Sequence, residues 1–250
     1  MSTLITAHSG CENTEIDGLE SIDKALEYGA DVVEMDVRVA PNGILHISHN
    51  ELSAEEYEQK ITFRDVIEKI LPTSLSLNVD LKEQEGLYPV IREANALGFP
   101  RERLLFSGCV SPEQLARDPK LHEKADFFVN VEEVLKIVYF KNSNYFQWDK
   151  FGTLMENPWQ VIRETGQEIP EEYIDDAVKC YQELPISAAN LPKRLLGTPF
   201  VASLQEAGIP LSVWTVNEPE IVEQCLDLNV LNITTRQVEQ AVRLKNQRNQ

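Results

Sequence analysis

The chain has 250 residues, with 23 Lys and Arg against 41 Asp and Glu, a formal net charge of −18. A surface this acidic repels phosphate backbones and anionic bilayers, which argues against nucleic-acid binding and against docking on a charged membrane. At 42% hydrophobic and 26% charged residues, the composition is that of a globular chain rather than a disordered one. Met1 to His8 holds no basic segment leading into a long apolar stretch, so no signal peptide is expected. No apolar run approaches the roughly 20 residues of a membrane span. Cys11, Cys109, Cys180 and Cys225 are far apart and form no C-x-x-C pair, so neither a disulfide framework nor a structural zinc site is expected. The expectation is one soluble, cytoplasmic domain over 1–250.

Short β-rich runs alternate with amphipathic helical patterns. Leu4–Ala7 reads as a first strand, Gly18–Tyr28 as a helix and Val32–Val37 as a second strand. Leu75–Leu81, Leu104–Ser107, Phe127–Val129, Ile186–Ala189, Leu211–Trp214 and Leu231–Ile233 follow as strands three to eight. Helical patterns fill most gaps, for example Val90–Leu97, Phe200–Ala207 and Glu220–Leu228. Such alternation implies a parallel sheet with helices outside it, and eight strands in this length imply an α/β fold of the (β/α)8 TIM-barrel type. The alternative is an open doubly wound sheet. Its dinucleotide-binding form carries G-x-G-x-x-G after strand one, whereas here His8-Ser9-Gly10-Cys11-Glu12-Asn13 follows. Between strands five and six, Tyr139–Tyr181 holds nine of the nineteen aromatics, including Trp148 and Trp159. That insertion reads either as a lid over the barrel mouth or as a satellite core under a long loop.

Barrel chemistry gathers at the C-terminal ends of the strands. His8 ends strand one, Glu34 and Asp36 lie on strand two, and Asp80 and Lys82 on strand three. Residues two apart share a strand face, and burying two carboxylates among helices without partners is costly, so they are expected to point inward. Three close carboxylates repel one another. Glu34, Asp36 and Asp80 therefore suit a hard divalent cation, Mg²⁺ or Ca²⁺. The alternative is a metal-free salt-bridge set neutralised by Lys82 and Arg38. Strand two runs into Pro41-Asn42-Gly43 and then Ile44–His49, a hairpin signal. A two-residue Asn-Gly loop sets Pro41 against Ile44 and brings His49 opposite Asp36. His46 then faces the other way, as a surface or packing residue. His8 and His49 can serve as an acid–base pair near neutral pH, and with a cation and Lys82 they suit phosphoryl-group chemistry.

Ala7-His8-x-Gly10, Glu12-Asn13-Thr14, Gly29 to Val37, Asn42-Gly43, Ser48-His49, Leu77 to Lys82 and Trp214-Thr215-Val216-Asn217 occur in that order. Together they resemble the glycerophosphodiester phosphodiesterases, a TIM-barrel family. The resemblance is weakest between Ser111 and Pro185. It implies metal-dependent hydrolysis of a small glycerophosphodiester to glycerol 3-phosphate and an alcohol. His8 and His49 are then the acid–base pair, Glu34, Asp36 and Asp80 the metal ligands, and Lys82 the residue facing the phosphate. Trp214 is then a pocket wall; an ordinary core aromatic is its alternative. The family's first step can be attack by the substrate's own glycerol hydroxyl, giving a cyclic phosphate that water opens. Four positions depart from the family pattern: Ser9 replaces an arginine after the first histidine, Asn50 an aspartate, Asp80 a glutamate, and Arg236 an aspartate near the last strand. Other readings stay open: a weakened relative that binds phosphate and metal, a lyase that stops at the cyclic phosphate, or a barrel hydrolase whose carboxylates work without metal.

Overall fold

The computed structural model describes residues 2–142 and 169–248. Nine strands lie in one sheet: β1 Leu4–Ala7, β2 Val32–Val39, β3 Leu45–Ile47, β4 Ser76–Leu81, β5 Leu104–Gly108, β6 Asp126–Asn130, β7 Ala188–Pro192, β8 Leu211–Trp214 and β9 Asn232–Thr235. Eight of them run parallel, and β1 pairs with both β2 and β9, which closes a (β/α)8 barrel. β3 stands outside the barrel, antiparallel to β2. The helices that cover the barrel include α1 Glu20–Tyr28, α2 Ala54–Tyr57, α3 Phe63–Ile70, α4 Leu87–Ala96 and α5 Pro112–Arg117. They continue as α6 Val131–Asn142, α7 Glu171–Glu183, α8 Pro199–Glu206, α9 Pro219–Asp227 and α10 Val238–Arg248.

The strand alternation separates two cores. Outward residues such as Val33, Met35, Val37, Leu77, Val79, Phe106 and Phe127 join the main cluster under the helices. Inward residues Val32, Leu105, Phe128 and Ala188 form a separate apolar plug, with Leu4 and Leu231 against it. Two residues further along each strand the lumen becomes polar. Thr6 Oγ1 donates to Asn232 Oδ1 (2.6 Å), Asn232 Nδ2 to Ser212 Oγ (3.0 Å), and Asn78 Nδ2 to Ser107 Oγ (3.0 Å). Asn190 Nδ2 donates to Asn130 Oδ1 at 2.6 Å. The lumen is thus dry at its N-terminal end and hydrogen-bonded in the middle. The carboxylates stand above that, at the C-terminal mouth.

Two sequence expectations are corrected. The hairpin has a three-residue loop, not two: Ala40 N–H donates to Ile44 O (2.9 Å) and Gly43 N–H to Ala40 O (2.8 Å). Val37 therefore pairs with Ile47, Arg38 with His46 and Val39 with Leu45. Ser48, not His49, meets Asp36, through Ser48 N–H to Asp36 O at 3.0 Å. Pro41 is the reason. Its fixed φ suits the first central position of a type I turn, which Gly43 then exits at φ +81°. β7 also starts and ends later than the run Ile186–Ala189. Ile186 packs outside with the helix-facing core, and Pro192 is tolerated as the last strand residue. Of the aromatic insertion, residues 143–168, including Trp148 and Trp159, lie outside the described residues. Tyr181, on α7, is core: it is 1% exposed and donates to Val129 O at 3.1 Å. Among the described residues no helix is long and apolar enough to cross a membrane.

Candidate active site

β2 turns Glu34 and Asp36 into the lumen, and both are nearly fully buried, at 3% and 2% exposure. In the register of the two strands, Asp36 pairs with Asp80 of β4. Carboxylate oxygens of Glu34, Asp36 and Asp80 all lie within 4.8 Å of one another. The Lys82 ammonium bridges two of them, 2.7 Å from Asp36 Oδ1 and 2.7 Å from Asp80 Oδ2. Arg38 is not part of the cluster, for its Nη1 pairs with Glu83 at 3.0 Å.

One lysine does not balance three clustered acids. Burial, reinforced by Asp80, pushes Glu34 up to about 7. Burial and then Glu34 push Asp36 up to about 6. Asp80 is also raised, chiefly by burial, although its side chain keeps 24% of its surface exposed. Burial opposes the Lys82 charge, but Asp80 and Asp36 outweigh it and hold the ammonium firmly protonated. The excess negative charge and the hard oxygen donors fit a divalent cation. Oxygens bound to one Ca²⁺ can stand up to about 4.8 Å apart, so three oxygens this close together can share one ion.

His8 lies beside this cluster, with Nδ1 3.5 Å from Glu34 Oε2. Nδ1 also lies 2.9 Å from Ser9 O. A carbonyl accepts only, so that contact places the proton on Nδ1 and leaves Nε2 as the free basic atom. Burial lowers the His8 pKa; the Ser9 carbonyl opposes that shift, and the Arg236 guanidinium adds to it. His49 sits just beyond β3, exposed, with Nδ1 3.3 Å from Asn50 Oδ1. Its backbone is tied toward His8 through one residue. Asp17 Oδ2 accepts His49 N–H (3.0 Å), Asp17 Oδ1 accepts Ser9 Oγ–H (3.4 Å), and Asp17 N–H donates back to Ser9 Oγ (2.7 Å). His46 is a packing histidine, 4% exposed against Tyr57 at 5.4 Å between ring centroids. Trp214 ends β8, and its buried Nε1 meets no partner among the described residues.

Sequence reasoning missed Asp17 and Gly108. Gly108 ends β5 at φ +77°, where a Cβ would stand 2.0 Å from Asp80 Oδ1 and 2.3 Å from Leu81 O. Its absent side chain is what lets Asp80 lie in the mouth. The signals present were a Ser-Gly pair closing a strand and an Asp-Gly pair opening the first helix, both weak taken alone.

No family model matches the sequence, and no curated protein sequence matches it. Solved structures do. A glycerophosphodiester phosphodiesterase from Thermotoga maritima is 20% identical over 98% of this chain and 99% of its own, at a TM-score of 0.65. One from Parabacteroides distasonis is 16% identical over 100% and 99%, at 0.66. A phosphodiesterase from Oleispira antarctica, solved with the product sn-glycerol-3-phosphate, is 17% identical over 98% and 97%, at 0.66. The chain has their fold. The likeness runs over nearly the full length of both partners.

Proposed function

We propose that the chain is a metal-dependent phosphodiesterase that hydrolyses small glycerophosphodiesters to glycerol 3-phosphate and an alcohol. The observation that carries this reading is the convergence of Glu34, Asp36 and Asp80 beside His8 at the mouth of the barrel. Glu34, Asp36 and Asp80 would hold Mg²⁺ or Ca²⁺, which when bound neutralises phosphate charge and acidifies a coordinated hydroxyl.

The chain's own residues do the rest. One of His8 and His49 takes the proton of the substrate's glycerol hydroxyl, whose oxygen attacks phosphorus. The bond from phosphorus to the alcohol oxygen breaks, and the other histidine protonates that leaving oxygen. The product of this step is a cyclic phosphate. Water then adds to phosphorus and the ring P–O bond breaks, with the two histidines exchanging roles and returning to their starting states. Lys82 steadies the acids and faces the phosphate, and Trp214 walls the pocket.

The test is phosphorus NMR of glycerophosphocholine and glycerophosphoethanolamine incubated with the protein and Mg²⁺ or Ca²⁺. Glycerol 3-phosphate is expected to accumulate, to vanish with chelator, and to slow about 10²- to 10⁴-fold in His8→Ala. A cyclic phosphate as final product reassigns the chain as a lyase. Full activity in chelator removes the metal role, and no turnover of any diester leaves a binding protein.

A further inference from the structure

We infer that Arg236 is a second phosphate-binding cation of this site, beside Lys82, presenting the free end of its guanidinium to the substrate. The inference rests on the phosphodiester reading above. A phosphodiester brings an anion to a mouth that already carries three acids, so it needs positive charge that those acids have not consumed. Lys82 is held at 2.7 Å by both Asp36 and Asp80. Arg38 is taken by Glu83 and by the carbonyl of His49. Ser9, next to His8 in the chain, is neutral, and its hydroxyl is committed to Asp17.

Arg236 is placed differently. It follows β9 at the same rim, half-buried, and its backbone is fixed from both sides. Its N–H donates to Asn217 Oδ1 (2.9 Å), and its carbonyl accepts Glu12 N–H (2.9 Å). Nε–H donates to Ser9 O at 3.3 Å. The same Ser9 carbonyl lies 2.9 Å from His8 Nδ1, and Ser9 N–H donates to Glu34 Oε2 at 3.1 Å. One residue's backbone therefore joins the guanidinium, the imidazole and the acid cluster. Among the described residues Arg236 pairs with no carboxylate, and Nη1 and Nη2 meet no partner. In a chain with 41 acidic and 23 basic residues, a half-buried guanidinium with no acid partner is open to an anion from solution. A planar fork that stays charged at every working pH suits two phosphate oxygens.

The experiment is calorimetric titration of sn-glycerol 3-phosphate and of inorganic phosphate into the Ca²⁺-loaded protein, as wild type, Arg236→Gln and Arg236→Lys. A separate titration measures Ca²⁺ itself. Arg236→Gln is expected to weaken both phosphates about 10- to 100-fold, and Arg236→Lys to fall between Gln and wild type. Ca²⁺ affinity and thermal midpoint should not drop in either variant, which a merely structural arginine would not satisfy. Equal phosphate binding by Arg236→Gln and wild type overturns the inference and leaves the phosphodiester reading standing. So does a loss of phosphate binding that is matched by loss of Ca²⁺ binding in both variants. Wild type that binds neither phosphate removes both readings together.

Discussion

Glu34 and Asp36 are buried acids that only a cation, a shared proton or a precisely set neighbour makes tolerable. The neighbours are therefore as constrained as the acids. Gly108→Ala sets a methyl group against Asp80 Oδ1 and the Leu81 carbonyl, at a positive φ that alanine disfavours. It is expected to cost about 2–4 kcal/mol of stability and to lower Ca²⁺ affinity, read from denaturant midpoints and calorimetry on the same samples. Retained ion affinity in a folded Gly108→Ala variant would show that Asp80 is not a ligand. Asp17 lies outside the three-acid group. It is itself at φ +63°, a region aspartate and asparagine visit more readily than other side chains. Asp17→Ala releases both His49 N–H and Ser9. Turnover is expected to fall about tenfold or more, a mispositioning cost, with Ca²⁺ affinity nearly unchanged; parallel kinetic and ion-binding measurements separate the two effects.

At the scale of elements, the excursion from β2 to β4 carries His49 to the rim. α3 anchors it. Thr62 and Asp65 form a reciprocal cap, with Thr62 N–H donating to Asp65 Oδ2 (2.8 Å) and Asp65 N–H to Thr62 Oγ1 (3.2 Å). Phe63, Val66, Ile67 and Ile70 then recur on one helical face and are fully buried. The hairpin tip is held more lightly. A Cβ at Gly43 meets nothing within 4 Å, so only its φ of +81° resists substitution. Gly43→Ala should cost about 1 kcal/mol and leave turnover intact, because the register is held by Leu45 and Ile47 in the core. A thermal melt and one activity assay check both halves, and a large loss of turnover would mean that the tip takes part in the site.

For the whole molecule, the acid cluster is expected to make stability a function of pH and of added cation. Folded and metal-free, Glu34 keeps its proton to about 7 and Asp36 to about 6, whereas the unfolded chain releases both near pH 4. Between those limits the native state binds more protons than the unfolded one. Stability in chelator therefore falls as pH rises from about 4 through 7, by up to about 5 kcal/mol. Saturating Ca²⁺ should remove that decline and raise the thermal midpoint with concentration, since it binds the deprotonated acids of the native state only. Urea titrations across this pH range at constant ionic strength test it. A profile that is flat or rises in chelator would show that the three acids are not held together in solution.

The sequence alone determined what is local and periodic. Alternating apolar runs specified the barrel, and the two-residue spacing of Glu34 and Asp36 on an otherwise apolar strand specified that they point inward, because burial among helices without partners is too costly. His8, Asp80 and Lys82 were legible for the same reason, as polar groups at strand ends. What depends on exact register and on distant segments was decided only in three dimensions. Pro41 selects one turn over another and moves Ser48, not His49, opposite Asp36. Asp17 ties the rim, and Gly108 makes room for Asp80. Arg236 reaches Ser9 across 227 positions of sequence. No spacing rule encodes such contacts, because closing the barrel through β1 and β9 is what brings the two ends of the chain together.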